Sequence, residues 1–221
     1  MLPVNEIFET IQGEATYTGT PAVFIRLQGC PVGCPWCDTK HTWFIKAEEK
    51  TDIDTILAKE QDAETFAEAE AADLLNLVKS QFRARHIVIT GGEPCLYDLT
   101  DLTRAFIDAG YSVQIETSAT HEIRCDERAF VTISPKIKMP GGLKILPNAV
   151  ARANEIKHPV GKARDVERLK QEVLSLAPDA ATNVWLQPLS QSKKATAVCV
   201  DLATENGWRI SAQTHKYIGV R

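Results

Sequence analysis

Three cysteines, Cys30, Cys34 and Cys37, stand close together in the spacing C-x3-C-x2-C. Pro31, Gly33 and Pro35 punctuate the stretch and keep it out of regular structure. A tight loop of this kind can turn all three sulfurs toward one point. Thiolates are soft ligands that select iron–sulfur clusters or zinc. An iron–sulfur cube needs a ligand on each iron, so three cysteines leave one iron open to a small molecule. Zinc is the rival, with His41 completing a four-ligand set beside Cys30, Cys34 and Cys37. Structural zinc ligands tend to come as two separated pairs rather than one close triplet, which favours the cluster. Trp36, inside the triplet, would shield a metal from water.

A second feature is the turn Gly91-Gly92-Glu93-Pro94. Turns of this composition are common and say little alone. Two glycines nevertheless let backbone approach a ligand closely. Exposed amides there would hold a carboxylate, and Glu93 or a carbonyl would hold an ammonium. Beside a cluster with an open iron, this implies a ligand that chelates through amino and carboxylate groups. Arg26 is the third feature, a charge interrupting the apolar run 22–27. Such a charge sits near a strand end or has a carboxylate partner. Cys95, Cys125 and Cys199 stand alone and read as small buried residues.

The elements that position these groups alternate. The run 22–27 reads as a buried strand ending just before the cysteine loop. Further strands are expected at 86–90, 111–116, 130–134, 155–160, 183–187 and 208–212. Helices are expected around 74–82, 99–109, 147–154, 165–176 and 195–206, with Pro147 starting one and Gly207 stopping another. Residues 1–21 carry many polar groups and read, on composition, as an exposed arm. Segment 48–73 is strongly acidic and reads as a solvated, mobile, partly helical insertion. Alternating strands and helices imply a parallel α/β sheet. The chain is too short for eight units, so an open, partial (β/α)6-type barrel fits better. One domain is expected, with a surface insertion at about 44–73. Polar clusters fall repeatedly at the C-terminal ends of the strands, where such sheets carry their sites.

The bulk numbers exclude several classes. A net charge of −4 offers no basic footprint for nucleic acid. No apolar run approaches the roughly 20 residues that span a bilayer, and the first residues lack the pattern of a signal peptide. A cytoplasmic location is the default expectation, and there the cysteines would not form a disulfide framework.

C-x3-C-x2-C with an aromatic before the last cysteine, followed by a strand ending in Gly-Gly-Glu-Pro, resembles the radical S-adenosylmethionine (SAM) superfamily. The runs 5–14 (NEIFETIQGE), 24–30 (FIRLQGC), 37–39 (CDT), 134–136 (SPK) and 213–216 (QTHK) are similar to the 7-carboxy-7-deazaguanine synthase family. The likeness covers most of the chain outside 44–73. It implies a [4Fe–4S] cluster on Cys30, Cys34 and Cys37, with SAM chelating the fourth iron. It implies a 5′-deoxyadenosyl radical that takes hydrogen from C6 of 6-carboxy-5,6,7,8-tetrahydropterin, followed by ring contraction and loss of ammonia. Magnesium would assist, with Thr39 as its protein ligand. Trp36, Cys37, Asp38, Gly92, Glu116, Ser118, Ser134, Pro135, Lys136 and Gln187 match positions around SAM. Ile11, Gln12, Gly13, Glu14, Arg26, Thr90 and His215 match the substrate site, with Glu14 also counted with the catalytic cysteines. Gln12 and Glu14 would read the pterin edge, and Arg26 would fork onto its carboxylate. The resemblance further implies a flavodoxin-type electron donor and a homodimer. Two positions depart from the family: Ala15 and Ala119 stand where glycine is common. A glycyl-radical activating enzyme would share the cysteine loop, but would not need the Gln12–Glu14, Arg26 and His215 set. A zinc-stabilised interaction module is the non-enzymatic alternative.

Overall fold

The computed structural model describes residues 1–220 apart from 179 and 181. Its centre is a nine-stranded sheet that does not close, ordered β3-β1-β2-β4-β5-β6-β7-β8-β9. The strands are β1 (Leu2–Ile11), β2 (Pro21–Leu27), β3 (Ala67–Ala69), β4 (His86–Gly91), β5 (Ser112–Thr117), β6 (Phe130–Ile133), β7 (Glu155–Val160), β8 (Asn183–Pro188) and β9 (Arg209–Ile210). From β2 to β9 every neighbouring pair is parallel. β1 pairs antiparallel with both β2 and β3. This is the open barrel that the alternation implied.

Helices α1 (Ile53–Leu57), α2 (Ala71–Gln81), α3 (Thr100–Asp108), α4 (Pro147–Arg152), α5 (Ala163–Glu172), α6 (Lys193–Asn206) and α7 (Thr214–Ile218) complete the chain. Pro147 opens α4, and Gly207 stops α6 in the left-handed conformation, φ 67°. The helix expected at 165–176 ends at Glu172, with a short 3-10 turn at Leu174–Leu176 beyond it.

The strands face two ways, because successive side chains alternate. Val23, Ile25, Ile87, Ile89, Val113 and Ile115 point outward and are buried in one apolar cluster. Val131, Ile133, Ile156 and Leu186 belong to a second, which includes Val166 and Leu169 of α5 and Cys199 and Ala203 of α6. The concave face instead carries His86, Gln114, Thr132 and Glu155, all buried. Gln114 donates to Thr132, which donates to Glu155 at 2.7 Å. A barrel lined with polar groups is a built site rather than a packed core.

Two expectations are corrected. Residues 2–11 are not an exposed arm but the strand β1, with Leu2, Val4 and Ile7 in the core. Its many polar residues hid the alternation, since Asn5 and Glu6 are themselves buried and partnered. The acidic segment is only partly a solvated surface. Within it β3 extends the sheet, and Ile56 and Phe66 are buried. Asn5 Nδ2 donates to the carbonyls of Ala63 and Thr65, and Lys59 Nζ donates to the carbonyl of Asn5. Lys59 Nζ also donates to the carbonyls of Ala63 and Thr65 within the segment, so the contacts with β1 are the ones no local pattern reveals.

Candidate active site

The cysteine loop leaves β2 at its C-terminal end, as the sequence implied. Gly29 and Cys30 tie it back through amides bonded to the carbonyls of Thr42 and Trp43. Cys30, Cys34 and Cys37 line one cavity of about 390 Å³. Burial pushes the Cys30 thiol up to about 11, and Glu93 and the other two sulfurs add to the effect. Burial also raises Cys34, against the pull of Lys136. Thiols buried this way favour a ligand that brings positive charge, and three of them on one cavity suit an iron–sulfur cluster. Trp43 Nε1 donates to Cys37 Sγ at 3.4 Å. Both Trp36, 47% exposed, and Trp43 line the cavity, and it is Trp43 that touches a cysteine sulfur. His41 does not join the sulfurs. Its ligand atom lies within 4.8 Å of those of Glu6 and Asp62, which removes the fourth ligand of the zinc alternative.

The glycine turn works differently from expectation. The amides of Gly92 and Glu93 donate to the carbonyls of Leu27 and Gly29, so they are not free for a carboxylate. A Cβ on Gly92 would lie 2.2 Å from the Gly29 carbonyl oxygen, and one on Gly91 2.3 Å from Leu27. These glycines let β4 pack against β2. Glu93 is buried and accepts from Cys95 N, Thr117 Oγ1, and the amide and hydroxyl of Ser118. Its carboxylate fastens the end of β5 below the cysteine loop rather than standing ready for an ammonium. Lys136 is pushed down by burial and donates to the carbonyl and hydroxyl of Ser134.

The other wall is built by residues 12–17 and the C-terminal segment. Gln12 is buried, with Nε2 donating to Gln114 and Glu116 and Oε1 accepting from the Glu14 amide. Its side-chain amide is thus engaged by the protein on both its nitrogen and its oxygen. Glu14 accepts from Lys157 Nζ, from Gln213 Nε2 at 2.8 Å and from Gln187 Nε2 at 3.2 Å. Burial opposes its charge, but Lys157 more than offsets this with help from Gln213, and the carboxyl is held below its usual range. Lys157 also donates to Glu116 at 2.8 Å. Arg26 Nε donates to Glu6 at 2.7 Å, and its guanidinium lies 5.8 Å from the Phe8 ring. The carboxylate partner foreseen for Arg26 is therefore a residue of β1. A Cβ on Gly13 would lie 2.2 Å from His215 Nδ1, so only glycine lets the two segments meet. Thr214 seals the junction with its amide and hydroxyl on the Gly13 carbonyl.

Ile11, Gln12, Gly13, Glu14, Arg26, Trp36, Asp38, Thr39, Thr90, Gly92, Glu116, Ser118, Ser134, Lys136, Gln187 and His215 line this same cavity with the cysteines. Pro135 is the exception, buried between Ser134 and Lys136 without facing it. Thr39 does not cap the turn that follows it, and its hydroxyl stands 3.6 Å from Cys37 Sγ. Sequence reasoning missed Lys157, Trp43 and the aromatic wall of Phe8 and Phe24, and gave Gln213 no role beyond its place in the run 213–216. For Lys157 a signal existed: a cation inside a buried strand, as at Arg26.

A cysteine loop at the C-terminal edge of an open parallel sheet, over a polar concave cavity, is the arrangement of a radical SAM enzyme. The Radical SAM superfamily pattern matches residues 24–131. The 7-carboxy-7-deazaguanine synthase of Escherichia coli (strain K12) is 50% identical over 219 residues, 99% of this chain and 98% of that protein. That of Buchnera aphidicola subsp. Schizaphis graminum (strain Sg) is 42% identical over 220 residues, 99% of each. The crystal structure of QueE from Escherichia coli superposes with a TM-score of 0.93 at 49% identity, covering 96% of this chain and 93% of that one. The chain belongs to the 7-carboxy-7-deazaguanine synthase family of radical SAM enzymes.

Proposed function

We propose that this enzyme converts 6-carboxy-5,6,7,8-tetrahydropterin to 7-carboxy-7-deazaguanine and ammonia. The observation that carries the reading is the convergence of three thiols, Arg26, Glu14 and His215 on one cavity, together with the family membership. Cys30, Cys34 and Cys37 hold a [4Fe–4S] cluster, and Trp36, Asp38, Gly92, Glu116, Ser118, Ser134, Lys136 and Gln187 surround SAM, with Pro135 holding the turn. Cluster and SAM, when bound, supply the radical chemistry at C6 of the pterin. The protein's own part is to bind, orient and exclude water. Arg26 takes the substrate carboxylate, and Glu14, fixed as an anion, accepts from the N–H edge of the ring. Ile11, Gly13, Thr90 and His215 close around it, with Gln12 bracing the wall from behind. Thr39 offers one hard oxygen to magnesium, which keeps waters and takes its remaining ligands from substrate. A flavodoxin-type donor supplies the electron, and the working form is a homodimer.

The test is turnover without oxygen. Reconstituted protein with SAM, reductant and the tetrahydropterin is expected to release 7-carboxy-7-deazaguanine, identified by mass. Cluster-loaded protein that cleaves SAM yet never consumes the pterin would overturn the reading. Cys34→Ala is expected to lose both the visible iron–sulfur absorbance and all SAM cleavage. Arg26→Ala is expected to weaken substrate binding by roughly 2–4 kcal/mol, read as KM, because it removes one partner of a desolvated charge pair. An unchanged KM would remove Arg26 from the carboxylate role.

A further inference from the structure

Lys157 has no part in the roles assigned above, yet it stands where two of them meet. It projects from the middle of β7 into the concave face, with its side chain 5% exposed. Its Nζ donates to Glu116 Oε2 on β5 at 2.8 Å and to Glu14 Oε2 on the segment after β1. A second path joins the same two residues: Glu116 Oε1 accepts from Gln12 Nε2 at 3.0 Å, and Gln12 Oε1 accepts from the Glu14 amide at 3.1 Å. Glu116, Lys157, Glu14 and Gln12 thus form a closed ring. Glu14 belongs to the proposed substrate side of the cavity and Glu116 to the proposed SAM side.

Two carboxylates converging on one buried point do not both stay ionised unless a cation stands between them. Lys157 is that cation. The charges of Lys136 and His215 also reach it or its partners, while Glu155, on the same strand, is engaged by Thr16 and Thr132. Lys136 already donates to Ser134, so it does not replace Lys157.

We propose that Lys157 is the positioning residue of this active site, holding Glu14 and Glu116 together as a pair of anions and fixing the substrate wall against the SAM wall. The inference rests on the functional reading above for what each wall binds. Without Lys157 one carboxyl of the pair takes up a proton, turns from acceptor to donor, and no longer matches the N–H edge of a pterin.

The experiment uses reconstituted holoenzyme with SAM in four forms: wild type, Lys157→Met, Lys157→Arg and the double variant Glu14→Gln/Lys157→Met. Infrared difference spectra between H₂O and D₂O report a protonated carboxyl directly. Titration calorimetry with pterin-6-carboxylate, an oxidised analogue that does not react, reports affinity from pH 6 to 9. Wild type is expected to show no buried protonated carboxyl at pH 7. Lys157→Met is expected to show one, with affinity lowered about tenfold or more, the equivalent of one pKa unit or greater, and recovering as pH rises. Lys157→Arg should keep both carboxylates ionised. The double variant restores the net charge of the ring, so it should fold and lose the protonated-carboxyl band. The same spectrum and the same pH profile in Lys157→Met as in wild type would overturn the proposal. So would a double variant that fails to fold where Lys157→Met also fails, because Lys157 would then serve packing alone. If wild type does not bind pterin-6-carboxylate, the substrate reading falls, while the infrared comparison still decides the role of Lys157.

Discussion

Ala15 and Ala119 show what a single residue reveals. Both occupy the left-handed region, with φ of 53° and 64°. That region costs an L-residue roughly 1–2 kcal/mol, and glycine nothing. The glycines that the family resemblance implies at these positions would have a backbone reason, and this chain carries alanine against it. Ala15 compensates with an amide bonded to Ser211 Oγ at 3.0 Å, and Ala119 with full burial and a carbonyl accepting from Leu146. Ala119→Gly is expected to raise stability by roughly 0.5–1 kcal/mol, after the extra freedom of the unfolded chain is discounted. Anaerobic urea unfolding checks this, and a lowered midpoint would show that the buried methyl outweighs the strain. Gly13 is the converse case. Its missing Cβ is what admits His215, so Gly13→Ala is expected to raise the pterin KM while leaving cluster content intact. Iron analysis beside steady-state rates separates the two.

At the scale of one element, β7 shows how alternation divides labour. Lys157 points into the cavity, and the next residue, His158, points away into the layer beneath the helices. His158 is buried, donates from Nε2 to the Asp165 carbonyl at 3.2 Å, and among the described residues its Nδ1 has no partner. Burial, with some help from Lys136, pushes it down to about 4. The unfolded chain then binds a proton that the folded one refuses, so this stability is complete above about pH 6.5 and declines as pH falls toward 4. Between pH 7.5 and 5.5 the loss from this group is about 1.4 kcal/mol. His158→Gln should flatten that part of the profile, measured as the urea midpoint at both pH values. An equally steep variant would move the effect to another group.

For the whole molecule, the open barrel matters most. A sheet that does not close leaves a concave face to be covered, and residues 12–17 and the segment after β9 cover it from opposite ends of the chain. Glu14 takes Gln213 and Gln187 as partners, and Gly13 receives Thr214. Deleting residues 213–221 is therefore expected to leave the cluster and reductive SAM cleavage in place, while pterin turnover falls by at least about 100-fold, as loss of positioning contacts does. Cluster absorbance and 5′-deoxyadenosine release, compared with product formation, make the check. Loss of the cluster itself would show that the tail supports the cysteine loop.

The amino-acid sequence by itself determined the cysteine loop, the alternation of strands and helices, and the strand ends where polar residues gather. These are local patterns, and Cys30, Cys34, Cys37 and the punctuation of prolines and glycines need no distant partner to be read. The tertiary structure alone decided the rest. It turned a polar N-terminal run into strand β1, drew part of an acidic segment into the sheet as β3, and set Lys157 between two carboxylates far from it in the chain. It also spent the Gly92 amide and the Gln12 side chain on the protein itself. The physical reason is that a buried charge or hydrogen-bonding group is defined by its partner. Here the partners lie on strands and segments distant in the chain, as Glu14 and Glu116 do from Lys157.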